Sequence, residues 1–273
     1  MASNYFLTGC ASGMGRHMTS AIVRRGGRAY ATDLNREALE QARAEEGWPA
    51  DRVEIAALDV RDAAQWRAVY DEALKHLGSV DVLMNIAGVL LAAKAAEATD
   101  EEIGLQIDVN LKGVIFGTRT AAGPMAAQGH GHIVNIASIA GLVPAPGLSV
   151  YCASKYGVRA YSIAAAFELK PKGVQVTAIC PSSIQTPMLD NQLDNDAAEM
   201  FFSGFRILTL DEIESAIFDR ALVKRPYEIH IPWAKAKLAR FVDRFPWLGP
   251  HIAPLYQWSG RRRQAQRRND AKH

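Results

Sequence analysis

Thr8-Gly9-Cys10-Ala11-Ser12-Gly13-Met14-Gly15 is the stretch on which the fold of this 273-residue chain turns. A short apolar run, Tyr5-Phe6-Leu7, precedes it. A helical pattern from about residue 13 to 25 follows, and then Arg28-Ala29-Tyr30-Ala31-Thr32, a second strand. Strand, glycine loop, helix and strand open a βαβ unit. Glycines in such a loop let the backbone approach a pyrophosphate, while the helix N-terminus faces its charge. The spacing here is G-x-x-x-G-x-G, not the commoner G-x-G-x-x-G. A tight strand-to-helix turn alone would also use glycines, but the position between strand and helix favours the phosphate reading.

The alternation continues outward. Further apolar strands are expected at 53–58, 82–86, 133–137, 174–179 and 227–231, and helices near 35–46, 62–76, 100–127 and 150–169. Strands apolar along most of their length belong to a parallel sheet covered on both faces, which makes this an α/β chain with a doubly wound, mostly or wholly parallel sheet of about seven strands. After residue 179 the pattern loosens into a loop over 181–196, a short aromatic-rich helix over 197–205 and a helix over 211–222. The expected organisation is one domain over 1–231, with a substrate lid at about 182–210, and an amphipathic basic extension over 232–273.

Composition supports a soluble globular protein, 49% hydrophobic and 22% charged. No run approaches the roughly 20 apolar residues of a membrane-spanning helix, and the start of the chain lacks a basic, then apolar, leader pattern, so a cytoplasmic location is expected. Cys10, Cys152 and Cys180 form no C-x-x-C and read as free thiols; the seven histidines show no metal spacing, so no metal is expected. The net charge of +2 conceals an asymmetry. Residues 261–273 carry six Lys/Arg and one Asp; the remainder holds 25 basic and 28 acidic groups, a net charge of −3.

Asp33 ends the second strand 18 residues after Gly15, where a carboxylate can accept hydrogen bonds from adenosine ribose hydroxyls and repel a 2′-phosphate. That favours NAD over NADP, although Arg36 is close by and Asp33 also suits a helix cap. Tyr151 and Lys155 stand four apart on one face of a helix, a pair that chance could supply as a surface contact. Their context makes them chemical. Ser138 follows the strand at 133–137, at the carboxyl edge where open α/β folds bind ligands, and Asn110 sits inside a helix, where asparagine is slightly unfavourable.

Together, Thr8-Gly9-x-x-x-Gly13-x-Gly15, Asp59-Val60, Asn85-Ile86-Ala87-Gly88, Asn110, Ser138, Tyr151-x-x-x-Lys155 and Pro181 followed by Ile184, Thr186, Pro187 and Met188 resemble the short-chain dehydrogenase/reductase family over roughly residues 4 to 231. The resemblance implies a Rossmann fold and an oxidoreductase. In it Tyr151 exchanges the proton on the substrate oxygen, Lys155 lowers the phenol pKa from about 10 and holds the nicotinamide ribose, Ser138 polarises the substrate oxygen, and Asn110 holds a water linking Lys155 to solvent. Gly9, Ser12, Gly13, Met14 and Gly15 would hold the pyrophosphate region, Asp59 and Val60 the adenine, and Asn85, Ala87 and Gly88 the cofactor's central stretch. Pro181, Ile184 and Thr186 would complete the nicotinamide side. One departure is Pro181-Ser182 where the family usually has Pro-Gly.

The expected function is NAD-dependent interconversion of a hydrophobic secondary alcohol and its ketone, with an NADPH-dependent ketone or 3-oxoacyl reductase as the alternative and a non-catalytic nucleotide-binding scaffold as a third reading. Leu90, Leu91, Ile139, Leu142, Val143 and Pro144, with Met188, Leu189, Met200, Phe201, Phe202 and Phe205 on the lid, suggest an apolar substrate pocket. Cys152 beside Tyr151 has no histidine pattern to activate it. The helix at 234–245 is expected to set Leu238, Phe241, Val242 and Phe245 against Lys235, Lys237, Arg240 and Arg244, docking on the domain, on a neighbouring subunit, or weakly on a membrane surface. The resemblance also implies a homodimer or homotetramer. Nucleic acid is not an expected partner.

Overall fold

Seven apolar runs hydrogen-bond into one wholly parallel sheet. The computed structural model describes residues 3–204 and 206–270, and in it β1 (Asn4–Thr8), β2 (Arg28–Asp33), β3 (Val53–Ala57), β4 (Val82–Asn85), β5 (Gly131–Ile136), β6 (Val174–Pro181) and β7 (Glu228–Ile231) lie in the order β3-β2-β1-β4-β5-β6-β7. The order reverses between β1 and β4, so a crevice opens at the carboxyl ends of these strands. Both faces are covered: Phe6 and Leu7, adjacent on β1 and pointing to opposite sides, are each fully buried.

Between the strands run α1 (Gly13–Arg24), α2 (Arg36–Glu46), α3 (Ala63–Leu77), α4 (Asp100–Ile107), α5 (Gly113–Gln128) and α6 (Ser149–Leu169). One core layer gathers Leu7, Met18, Ile22, Leu39 and Ile217; the other gathers Phe6, Trp66, Tyr70 and Met125. Each such side chain contributes about 1.5–3 kcal/mol by burial. The Phe6 ring stacks on Tyr30 and Trp66, both at 5.7 Å. The helix expected over 100–127 is α4 and α5 joined by a π turn, Asp108–Lys112.

Strand β6 extends to Pro181, past the expected end, because Cys180 and Pro181 pair with His230 and Ile231. The loop beyond contains α7 (Pro187–Asp190), and the aromatic-rich segment forms α8 (Glu199–Phe202); Phe205 lies outside the described residues. Then α9 (Leu210–Ser215) passes through a second π turn into α10 (Leu222–Lys224). Two helices close the chain, α11 (Trp233–Arg244) and α12 (Gly249–Asp270).

Helix α11 is rotated from the expected orientation. Its buried face is Ala236 and Ala239, whose small side chains let the helix close on the core beside Val158 and Ala178, while Phe241 and Phe245 remain on the outside. Lys235, expected on the solvent face, turns inward. Helix α12 was hidden in the sequence by Pro250 and Pro254. The first is tolerated in a helix's first turn; the second forfeits one backbone hydrogen bond, which packing offsets.

The basic tail clamps the acidic segment over 190–199. Arg261 pairs with Glu199 at 3.3 Å, Arg267 with Asp190 at 3.8 Å and Arg268 with Asp194 at 3.0 Å. Exposed pairs of this kind contribute about 0–1 kcal/mol each. The buried Gln264 amide counts for more, donating to the carbonyls of Gln192 and Asn195, both at 2.8 Å. Gly260 makes the approach possible: a Cβ there would stand 2.0 Å from the Glu199 carbonyl oxygen. Gly260→Ala is therefore expected to cost about 1–3 kcal/mol and to lower the thermal midpoint by several degrees; an unchanged melting curve would show that α12 does not need this contact.

Candidate active site

At the switch between β1 and β4 the backbone turns sharply into α1. Gly9 and Gly13 have φ of 74° and 51°, and a Cβ on Gly15 would lie 2.0 Å from the Gly9 carbonyl oxygen, so this packing admits no side chain at position 15. The first turn of α1 carries no acidic residue, and Ser12 makes no side-chain cap, which leaves the helix's leading N–H groups free for an anion. Asp33 is tied to this loop. Its Oδ2 accepts from the Ala11 N–H at 2.9 Å, and the cap of α2 is Asn35, which accepts from the Ala38 N–H at 3.0 Å. The capping role therefore belongs to Asn35.

From Asp33 a cleft of about 460 Å³ follows the carboxyl edge to Tyr151. Gly9, Ser12, Gly13, Met14 and Gly15 line one part, Asp59 and Val60 another, with Ala87 and Gly88 between. Pro181, Ile184 and Thr186 lie on the far wall. The Thr8 hydroxyl accepts from the N–H groups of Ile86 and Ala87, both at 3.0 Å, and so fixes the chain where it leaves β4. Asp59 is held by Arg61 at 2.6 Å, and that guanidinium keeps its carboxyl below the usual range.

Ser138, Tyr151 and Lys155 converge at the end of this cleft. Ser138 leaves β5, while Tyr151 and Lys155 occupy successive turns at the start of α6, all three nearly sealed from solvent. The Ser138 Oγ accepts from the Ala140 N–H at 3.1 Å and donates to the Pro181 carbonyl at 3.4 Å. Burial pushes the Tyr151 phenol up to about 12, opposed by its hydrogen bond with Ser138. Burial pulls Lys155 down to about 8; its ammonium donates to the Ile136 carbonyl at 2.9 Å and stands 5.7 Å from the Tyr151 ring centroid.

Two of the expected site residues stay out of the cleft. The Asn110 amide, fully buried in the π turn, donates to the Val89 carbonyl and accepts from the Val89 N–H, both at 2.8 Å, and donates to the Ser154 hydroxyl. Its side chain clamps the strand-end loop, both amide hydrogens engaged and Oδ1 accepting from Val89. Asn85 points to the opposite side of the sheet because successive strand residues alternate; it donates to Asn135 at 2.8 Å and packs against Gly117.

This geometry sits on a chain whose residues 4–197 match the family model described as short chain dehydrogenase. The chain belongs to that family. It is 36% identical over 188 residues to a cyclopentanol dehydrogenase of Comamonas sp. (strain NCIMB 9872), covering 69% of this chain and 75% of the relative. It is 36% identical over 184 residues to a 3-alpha-(or 20-beta)-hydroxysteroid dehydrogenase of Mycobacterium bovis, covering 67% and 70%. Among solved structures, a short chain dehydrogenase/reductase from Burkholderia phymatum in complex with NAD superposes with a TM-score of 0.81 at 26% identity, covering 90% and 95%.

Beside the family's cleft lies a second cavity of about 720 Å³, sharing Ser138, Ser182 and Phe201 with it. Ile139, Val143, Pro144 and Met200 line it as expected from the sequence, but Leu90, Leu142, Leu189 and Phe202 are buried packing. Its outer wall is what the sequence reading missed: Lys235, Leu238 and Val242 of α11, with Gly249, Ile252, Ala253 and Tyr256 of α12. The 249, 252, 253, 256 spacing is the helical signal that could have revealed it.

The three thiols are buried and burial raises their pKa values, which removes any basis for a cysteine nucleophile. Two groups bring potential metal ligands together, Cys180 with Glu228 and His230, and His17 with Asp211 and Glu214. In both, arginines already engage the glutamate: Arg159 and Arg240 on Glu228, Arg24 and Arg25 on Glu214. They are ion-pair networks.

The depressed Lys155 pKa has a sign. Between about 8 and the ordinary lysine value of about 10.4 the unfolded chain binds the proton that the folded chain has lost, so rising pH stabilises the fold through this group. Without nucleotide, Lys155→Met should be more stable than the wild type below pH 8, and the gap should shrink by about pH 10. Chemical denaturation at several pH values checks this, and a gap independent of pH would contradict it.

Proposed function

We propose that this protein is an NAD-dependent oxidoreductase interconverting a hydrophobic secondary alcohol and its ketone. The observation that carries the reading is that Ser138, Tyr151 and Lys155 line an anion-compatible cleft, which shares Ser138 with a larger apolar cavity. The cleft volume lies within the range of small-molecule sites, and its glycine-lined, uncapped helix terminus suits a pyrophosphate. Gly13, Gly15 and the α1 N-terminus would hold the phosphates, Asp33 the adenosine ribose, Lys155 the nicotinamide ribose and Thr186 the carboxamide.

A bound nicotinamide would supply the hydride acceptor in oxidation of the alcohol and the hydride donor in reduction of the ketone. Tyr151 handles the accompanying proton, taking it from the hydroxyl during oxidation and giving it back during reduction. A phenol near 12 stays protonated at neutral pH and cannot accept a proton, so Lys155 is needed to stabilise the phenolate by its charge. Ser138 orients and polarises the substrate oxygen.

NAD is supported by the Asp33 carboxylate on the cleft wall and by Arg36, the nearest basic side chain after it, which is paired with Glu40 at 2.9 Å. The NAD in the Burkholderia phymatum structure is consistent with that choice. Tryptophan fluorescence titration should give tighter binding for NADH than for NADPH, and Asp33→Ala should narrow the difference. Equal or reversed affinities would favour the phosphorylated nucleotide. Tyr151→Phe should keep NADH binding while lowering turnover of hydrophobic alcohols by about 10²-fold or more; retained turnover would remove Tyr151 from the chemistry.

A further inference from the structure

One cation faces the apolar cavity without a counter-charge. The Lys235 ammonium, on the first turn of α11, donates to the Ser182 hydroxyl at 2.7 Å. Among the described residues no carboxylate pairs with it, and the charged group that acts on it is Arg263, of like sign. Four other basic residues of the extension, Arg240, Arg261, Arg267 and Arg268, each reach an acidic partner, and Lys235 is the charged residue among those lining this cavity.

The surroundings make room for this charge. Gly204 stands so close that a Cβ there would come within 3.1 Å of Nζ. The departure at Ser182 supplies a hydroxyl where the family's usual glycine would supply none. Burial lowers the Lys235 pKa to about 8, which leaves it mostly protonated at pH 7. A largely desolvated ammonium held by one hydroxyl is costly unless an anion joins it.

Its position says where that anion would lie. Ser182 follows Pro181, whose carbonyl accepts from Ser138, so Lys235 flanks the reacting end of the cavity. The remainder, walled by Val143, Leu148, Met200, Val242 and Tyr256, is shaped for hydrocarbon. We infer that the substrate is an amphipathic hydroxy or oxo acid, its carboxylate paired with Lys235 near the reacting carbon and its apolar body lying between the lid and the α11–α12 wall. The inference rests on the alcohol/ketone reading of this site and narrows its substrate class.

Two measurements on the full chain at pH 7 test it. By calorimetry, octanoate should bind the wild type in preference to octanol. Lys235→Met should reduce that preference by about tenfold or more, and Lys235→Arg should retain most of it. In turnover with NAD, kcat/KM for a hydroxy fatty acid relative to its methyl ester should fall by a similar factor in Lys235→Met. Absence of a wild-type preference for octanoate, or the same preference in Lys235→Met, overturns the inference. If no alcohol is oxidised with either nucleotide, the oxidoreductase reading fails, and the octanoate comparison still decides whether Lys235 is an anion site.

Discussion

Burial of the Lys155 ammonium is the constraint around which the centre of this protein is arranged. No carboxylate among the described residues neutralises it, so its charge is stabilised by the Ile136 carbonyl at the end of β5. Four elements have to meet for that to work. Strand β5 brings the carbonyl, α6 the lysine, the π turn Asn110, and the loop after β4 brings Gly88, where a Cβ would stand 3.2 Å from Asn110 Oδ1 and 3.7 Å from Lys155 Nζ. Asn110 in turn fixes Val89 through both of its backbone groups. A cation that is expensive to bury is thus held one helical turn from the Tyr151 phenol, its Nζ 5.7 Å from the ring centroid.

The second organising contact joins the chain's end to its lid. Helices α11 and α12 enclose the larger cavity, and α12 is seated on α8 through Gly260 and the Gln264 amide. The cavity wall thus depends on packing between two regions far apart in sequence, and loosening the tail would open that cavity without touching β1 to β5. Trp247, Leu255 and Trp258 stay exposed on the outer surface of this layer.

Most of the fold was legible because parallel strands buried on both faces leave uninterrupted apolar runs, and because glycines at the β1–α1 turn have a steric purpose that Gly15 displays directly. The candidate site was legible wherever a residue's strand-end position determined its direction, as for Ser138 and Asp33. Asn85 shows the limit of that logic, since one step of alternation along β4 sends its amide to the far side of the sheet. Asn110 shows another: a mid-helix asparagine signalled a special task, but only the π turn reveals that its amide engages Val89 and Ser154. Lys235 was assigned to the solvent face because amphipathicity was read from the large residues, whereas Ala236 and Ala239 decide which side of α11 packs. Charge counting in the tail likewise could not show that its arginines meet acidic residues some seventy positions earlier.

The account stands on Tyr151 acting as the acid/base with Lys155 setting its proton affinity, and the pH dependence of alcohol oxidation measures this directly. In the wild type with NAD, kcat/KM should rise with pH along a limb centred well below the unperturbed phenol value of about 10. In Lys155→Met the limb should move to higher pH, because the cation that would favour the phenolate is gone. Superimposable limbs in the two proteins would contradict the account.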